Sequence, residues 1–204
     1  MKVSGAAMLL GPVERVYQVL NDPAVLVRTI PGCERLEQLG PDEYRMVVSA
    51  GVASIKGTYV GAVTLADHNP PHGFTLRASG SGAPGTVKAD VKITLDGTGE
   101  TTTLTYDADA IVGGMVGGVG QRILTGVAKK TAGEFFANVN DVLSGATTPE
   151  AALPPAPGAA AVFERPAVPA RPTDFMTGFA YGAGAALLGA IVGGLIVARA
   201  LRNR

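Results

Sequence analysis

Apolar and polar side chains alternate along most of the chain between residues 43 and 110. In residues 87–95 the odd positions are apolar, whereas Lys88, Asp90 and Lys92 occupy even positions. A period of two is typical of β-strands with one buried face. Gly-Pro-Asp, Asn-Pro-Pro-His-Gly and Asp-Gly sequences separate the alternating stretches and predict turns. The pattern therefore predicts an antiparallel sheet of six or seven strands that is covered on one side.

Three other stretches have helical spacing. Apolar residues in positions 13–20 recur at helical intervals after a Gly-Pro pair. A second short helix is expected next, with Asp22 as its N-cap and a Pro-Gly pair as its end. Residues 115–143 carry apolar positions along one side, which predicts a long helix lying on the dry face of the sheet. Residues 1–145 are thus predicted to form an α+β domain of helix-grip type, with one long C-terminal helix over a curved sheet.

The predicted long helix begins with the sequence GGMVGGVGQ, in which five of nine residues are glycine. Each Gly in a helix interior costs about 1 kcal/mol relative to Ala. Glycine here either allows tight backbone packing or leaves space for an apolar ligand between helix and sheet. A tyrosine hydroxyl in such a cavity could donate a hydrogen bond to a ligand carbonyl. The predicted ligand-cavity residues are Met46, Val48, Tyr59, Leu76, Ala78, Tyr106, Met115, Val116, Gly117, Val119, Gly120, Ile123 and Val127.

A Pro/Ala-rich stretch follows the predicted domain, and its seven prolines oppose a regular helix or a central strand. We predict a flexible linker over residues 146–172, which could reach roughly 80 Å if extended at about 3.1 Å per residue. The sequence VFERP within it is either a short docking motif or a chance interruption.

No charged residue occurs between positions 175 and 198. As a helix this run would span about 36 Å, and a bilayer core is about 30 Å thick. Residues 173–204 are therefore predicted to be a membrane-associating helix with a basic end. The terminal arginines oppose a full crossing, so the segment either spans the bilayer or lies in its interface. The predicted membrane residues are Phe175, Phe179, Leu187, Leu188, Ile191, Leu195, Ile196, Arg199 and Arg202.

The net charge and the reactive side chains limit the classes of function that the chain could have. The net charge is zero, which gives no reason to expect a nucleic-acid partner. The first residues lack a convincing export signal, so we expect the domain at the cytoplasmic face of the cell membrane. Cys33 is the only cysteine and is expected to be structural. His68 and His72 lack a suitable third ligand nearby, so we predict no metal, no catalytic residue and no covalently bound cofactor.

Two stretches resemble a known family. They are IPGCERLEQLGPDEYRMVVSAGVASIKGTYVG, with a Pro-Gly-Cys turn and a Gly-x-Tyr-x-Gly strand, and VGQRILTGVAKKTAGEFFANV at the long helix. Residues 1–143 resemble the G-subunit family of carbon monoxide dehydrogenase, a branch of the START-like (SRPBCC) ligand-binding superfamily. The resemblance implies a helix-grip fold, an apolar cavity and a molybdenum-containing dehydrogenase as partner. It implies no catalytic residues.

Two functions fit these features. The first is a membrane-tethered carrier that delivers a quinone from the membrane to a molybdenum-containing carbon monoxide dehydrogenase, for electron transfer to the respiratory chain. The second is a recruitment or assembly adaptor that transfers no ligand. An isoprenoid quinone such as menaquinone is the expected cargo, because the membrane-side acceptor of such a dehydrogenase would be a quinone. Neither hypothesis makes the chain an enzyme, and only the carrier needs a cavity.

Overall fold

The computed structural model describes residues 1–146 and 161–165. Both ranges lie in one compact unit, Met1–Arg165. The architecture is α+β, with a single curved antiparallel sheet and helices on one face. In chain order the elements are β1 (Lys2–Leu10), α1 (Val13–Asn21), α2 (Pro23–Thr29), β2 (Cys33–Gln38), β3 (Glu43–Val52), β4 (Ile55–Asn69), β5 (Gly73–Gly82), β6 (Gly85–Thr98), β7 (Thr101–Gly113), α3 (Gln121–Leu143) and β8 (Ala161–Glu164).

The two short helices begin where the sequence predicts. Helix α1 follows Pro12, whose fixed φ suits a helix start, and it buries Val16 and Leu20. Helix α2 is capped by Asp22, whose carboxylate accepts a hydrogen bond from the backbone N–H of Ala24 at 2.8 Å. The predictions for both helices are confirmed.

The sheet has eight strands in the described residues, in the order β1-β7-β6-β5-β4-β3-β2-β8. Neighbouring strands from β2 to β7 are consecutive in sequence, and β1 returns to pair with β7. Short turns join antiparallel neighbours, so this meander follows directly from the turn sequences. The prediction of six or seven strands is therefore too low, because β8 comes from the segment predicted as linker.

The core lies where the inner face of the sheet meets α1 and α3. Leu95 and Leu104 of adjacent strands are each 1% exposed, and Leu9, Val16 and Val139 are fully buried. Burial of such a side chain stabilises the fold by about 1.5–3 kcal/mol. The large buried side chains lie at the end of the inner face that meets α1 and α3. Smaller side chains occupy the rest of that face.

The glycine-rich stretch precedes α3 instead of forming its first turns. Residues Gly117–Val119 make one 3₁₀ turn, and α3 starts only at Gln121. Between them Gly120 has a φ of +101°, a conformation that side-chain-bearing residues rarely adopt. The prediction of a continuous helix from position 115 is thus wrong, because the glycines permit a turn that redirects the chain onto the sheet.

Part of the predicted linker forms the eighth strand. Strand β8 pairs antiparallel with β2, and Phe163 lies opposite Leu36 and packs against the core. The Arg165 guanidinium donates to the backbone carbonyls of Arg28 and Ile30 at 3.0 and 2.8 Å. Of the two interpretations of VFERP, the structure therefore favours a docking motif.

Within residues 1–146 and 161–165, no helix is long and apolar enough to cross a membrane. The predicted membrane residues from Phe175 to Arg202 lie outside the described residues, as does most of the predicted linker. Their assignment stays a prediction.

Candidate ligand-binding cavity

The cavity originates in a cross-strand row of small side chains. Ala78, Ala89 and Ala110 are direct neighbours on β5, β6 and β7, and all three face α3. The next row contains Gly61 opposite Gly80. On the facing side α3 presents Ala128 and Ala132, whose spacing of four residues places them on one face of the helix. Small residues on both surfaces leave space that the chain does not fill.

One part of this space, the α2 chamber, lies between α2, strands β3 to β6 and the middle of α3. Its volume is about 320 Å³, within the range of small-molecule sites. Its surface is almost wholly apolar, with Tyr44 and Thr131 as the polar side chains. The lining residues are Leu20, Leu26, Ile30, Pro31, Leu36, Tyr44, Met46, Val63, Leu65, Phe74, Leu76, Ala78, Ile93, Thr131, Ala132 and Phe135.

The other part, the β7 chamber, lies between β1, β6, β7 and α3 and has a volume of about 340 Å³. Among its lining residues, the one polar side chain is that of Tyr106. The lining residues are Met1, Val3, Val87, Ala89, Val91, Ile93, Leu104, Tyr106, Ala108, Ala110, Val112, Ala128, Ala132 and Phe136.

Two residues belong to both chambers: Ile93 on the sheet and Ala132 on α3. Along one cross-strand row, Phe74 lines the α2 chamber, Ile93 stands between, and Tyr106 lines the β7 chamber. The chambers are therefore adjacent, and Ile93 and Ala132 lie between them.

The tyrosines of β3, β4 and β7 differ in their environment. Tyr44 donates to the carbonyl of Pro41 at 3.4 Å, and burial, followed by the charges of Asp42 and Asp22, raises the pKa of its phenol. Tyr59 is half-buried in β4 and lines neither chamber. The hydroxyl of Tyr106 has no hydrogen-bond partner among the described residues. Tyr106 therefore carries the phenol that is free to bond a ligand.

Room for the Tyr106 ring depends on Gly5, its direct neighbour on β1. A Cβ atom at Gly5 would lie 2.6 Å from the Tyr106 hydroxyl oxygen, far inside van der Waals contact. The Tyr106 ring also lies against Phe136, with 5.8 Å between ring centroids. Gly5 and Phe136 thus fix where the phenol sits in the β7 chamber.

The structure brings together only some of the predicted cavity residues. Met46, Leu76 and Ala78 line the α2 chamber, and Tyr106 lines the β7 chamber. Val48 packs at the edge of the core. The residues of the glycine-rich stretch and first turns of α3 line neither chamber, and Met115 and Ile123 are exposed. This group comprises Met115, Val116, Gly117, Val119, Gly120, Ile123 and Val127.

The displacement follows from the late start of α3. Because the helix begins at Gln121, its second to fourth turns cover the small-residue row, and the glycine-rich stretch lies beyond the chambers. Sequence reasoning missed Ala128, Ala132, Phe135 and Phe136. The repeat of small residues at positions 128 and 132 was the available signal.

Other polar side chains stand outside the cavity. Tyr17, His68 and Asp42 form a hydrogen-bonded chain, with 2.9 Å from the Tyr17 hydroxyl to His68 Nδ1 and 3.0 Å from His68 Nε2 to Asp42. Burial, and then the charge of Asp42, raises the pKa of Tyr17. Across the described ranges, no group of three His, Cys, Asp or Glu residues could hold a metal ion.

The curved antiparallel sheet, the long helix across it and the apolar space between them define a START-like fold. Residues 10–144 match the sequence profile of a family described as the G subunit of carbon monoxide dehydrogenase (CoxG), and the chain belongs to this family. The expected family is thus confirmed, and the fold agrees with the expected START-like architecture. The family's name implies association with carbon monoxide dehydrogenase.

Solved structures show the same fold. A conserved protein of Geobacillus kaustophilus is 37% identical with a TM-score of 0.69, and the match covers 72% of this chain and 97% of that one. A START superfamily protein of Mycobacterium smegmatis is 15% identical with a TM-score of 0.56, covering 72% and 99%. An aromatase/cyclase of Streptomyces sp. R1128 is 18% identical with a TM-score of 0.53, covering 71% and 93%. The last two show a common fold alone.

A comparison with curated proteins found no match. The match to a family named for a subunit of carbon monoxide dehydrogenase favours a non-catalytic protein, whereas the fold alone does not decide, because an aromatase/cyclase shares it.

Proposed function

We propose that this protein is a membrane-tethered carrier that delivers an isoprenoid quinone to a molybdenum-containing carbon monoxide dehydrogenase. The observation that carries the proposal is the two-chambered cavity, which is apolar except for a few hydroxyl groups. A cavity of this kind offers nothing to a charged metabolite, because burying an unpaired charge is costly. It suits a lipophilic molecule with at most a small polar part.

A quinone combines these properties. Its isoprenoid chain is insoluble in water, and its ring carbonyls accept hydrogen bonds. Quinones also accept electrons in the membrane, and the family's name connects this chain to a dehydrogenase. A soluble dehydrogenase and a membrane-confined acceptor need a means of meeting, and a lipid-binding domain on a tether supplies it.

The proposed tether is the C-terminal part of the chain. The uncharged run between positions 175 and 198 is long enough to associate with a bilayer, and we place the domain at the cytoplasmic face. Tethering keeps the domain near the membrane, so that each new encounter with it is effectively intramolecular.

The test begins with the full chain purified from its own cells in mild detergent. Organic extracts should contain quinone in a roughly constant ratio to protein, detected by mass spectrometry. The variant Ala89→Leu should fill the β7 chamber and lower this ratio. The matched variant Ala62→Leu, on the exposed outer face of the sheet, should leave the ratio unchanged. Melting temperatures check that both variants fold.

A second measurement addresses delivery. The quinone bound to the full chain should be reduced by the purified dehydrogenase in the presence of carbon monoxide. Deletion of residues 173–204 should release the protein from the membrane fraction. Absence of quinone from the extracts, together with membrane recruitment of the dehydrogenase by this chain, would establish the adaptor function instead.

A further inference from the structure

We propose that the two chambers bind two chemically different parts of one ligand. The β7 chamber holds a ring whose carbonyl accepts a hydrogen bond from Tyr106, and the α2 chamber holds a flexible apolar chain that passes between Ile93 and Ala132. This inference rests on the proposed function and assigns the ligand's orientation and the residues that select for it.

The placement of free hydrogen-bond donors determines the orientation. In the α2 chamber the Tyr44 hydroxyl is already bonded to the Pro41 carbonyl, and Thr131 is exposed on the helix surface. A ligand carbonyl buried in the α2 chamber would lose its hydrogen bonds to water. No unoccupied buried donor there would replace them, so this placement is costly. The β7 chamber offers the free phenol of Tyr106. The polar end of the ligand is therefore favoured in the β7 chamber.

The β7 chamber also provides aromatic surfaces for a ring. Tyr106 and Phe136 form a tilted pair in the β7 chamber, so a planar ring entering it meets aromatic surfaces as well as a donor. The amino group of Met1, which also lies at this chamber, is already bonded to the Ala110 carbonyl. The α2 chamber also has aromatic lining residues, Tyr44, Phe74 and Phe135, so the unoccupied hydrogen-bond donor, and not the aromatic content, distinguishes the two chambers.

On the helix side, the residue that lines both chambers is Ala132, whose side chain is a single methyl group. Phe135 and Phe136 follow on the same helix and line one chamber each, with 5.3 Å between their ring centroids. A large side chain at position 132 would obstruct the proposed route of the chain between the chambers while leaving each chamber its other lining residues. Ala132 is thus a specificity-determining residue for ligands long enough to occupy both chambers.

The experiment compares two ligands that share one ring. Menadione has no chain, whereas phylloquinone carries a phytyl chain on the same naphthoquinone. Full-chain protein in a fixed detergent concentration is titrated with each, and ligand retained after gel filtration is measured by chromatography. The variants are Tyr106→Phe with Tyr59→Phe as its control, and Ala132→Phe with Ala137→Phe, at an exposed position of α3, as its control.

Tyr106→Phe should lower the affinity for both ligands by about 3- to 10-fold, the size expected for one hydrogen bond. It should also move the infrared carbonyl band of the bound quinone to higher frequency, a change that loosened packing alone would not produce. Ala132→Phe should lower the affinity for phylloquinone by about tenfold or more, and the affinity for menadione by less than about threefold. Both controls should match the wild type.

The results separate the two proposals. The assigned orientation is wrong if Ala132→Phe weakens the binding of both ligands equally, or if Tyr106→Phe leaves the carbonyl band of the bound quinone unmoved. In either case the carrier function stands, provided that the wild type retains phylloquinone. If the wild type retains neither quinone, both proposals fail. Should Ala132→Phe not fold, Ala132→Met applies the same test with a smaller obstruction.

Discussion

The side-chain amide of Asn140 in α3 pairs with the backbone of Leu10 at the open edge of β1. Its oxygen accepts a hydrogen bond from the Leu10 N–H at 2.9 Å, and its nitrogen donates to the neighbouring Met8 carbonyl at 3.1 Å. The amide thus bonds the edge of β1 as an adjacent strand would, and it fixes the end of α3 to the sheet. The position of α3 over the cavity depends on this attachment.

Replacing Asn140 with Ala should therefore destabilise the fold by about 1–3 kcal/mol, the contribution of two hydrogen bonds. Chemical denaturation of the wild type and the variant measures the difference. The exposed Lys129→Ala change on the same helix is the control and should stay within about 0.5 kcal/mol. Equal stability of the two variants would mean that water replaces the amide at no cost.

Strand β8 offers a second test, because its residues alternate between the core and solvent. Phe163 is half-buried against the core, whereas Val162 is 42% exposed. Phe163→Ala should lower the free energy of unfolding by about 1–2 kcal/mol, roughly half the cost for a fully buried phenylalanine. Val162→Ala should change it by less than about 0.5 kcal/mol. Similar effects of the two substitutions would argue that β8 does not pair with β2 in solution.

The Cys33 thiol provides a pH-dependent prediction. Cys33 is 1% exposed, and burial raises its pKa above the ordinary value of 9.0. In the folded protein the thiol should stay protonated at neutral pH and react with iodoacetamide far more slowly than in denaturant.

The same shift sets the sign of a stability change. Between the unfolded and folded pKa values the native state keeps a proton that the unfolded chain releases, so the free energy of unfolding should fall as pH rises above about 9. Tyr17 and Tyr44 act in the same direction above their ordinary value of 10.0. Cys33→Ala should make the decline shallower as the pH rises above about 9. If the slope of this decline is the same in Cys33→Ala as in the wild type, the decline is due to the phenols of Tyr17 and Tyr44.

The glycine-rich stretch before α3 should affect stability and leave ligand loading unchanged. Gly120 has a positive φ, so Gly120→Ala should cost about 1 kcal/mol through backbone strain. A Cβ atom at Gly118 would meet nothing within 4 Å, which makes Gly118→Ala a matched control with little effect. Quinone retained by both variants should equal that of the wild type. A loss of loading in Gly120→Ala at unchanged melting temperature would return this stretch to the binding site.

The sequence predicts the strands and short helices well because their signals are local. Alternation over residues 87–95 and the Asp22 cap each act within a few residues, and both are present in the fold. The predicted start of α3 is wrong because apolar spacing alone does not reveal that Gly120 adopts a positive φ. The wrong helix start displaced the predicted cavity toward Gly117 and Ile123.

Other features depend on contacts between distant residues. That Tyr106 is the free phenol follows from the Tyr44 bond to Pro41 and from the space over Gly5, neither of which has a sequence signature. The strand Ala161–Glu164 is too short for a convincing alternation, and it exists because β2 presents an edge to which it can pair. The alanine row could be recognised only once the register of three strands was known.

Pairing of β8 with β2 also sets the volume that the domain can search around a downstream anchor. While β8 stays paired, only residues 166–172 separate Arg165 from the proposed membrane segment, a contour length of at most about 25 Å. With β8 released, the connection would begin after residue 146 and reach about 90 Å, so the accessible volume would grow about fiftyfold. With the proposed anchor in the bilayer, the paired strand would hold the cavity at high local concentration beside the membrane, and its release would lower that concentration while extending the distance that the domain can reach.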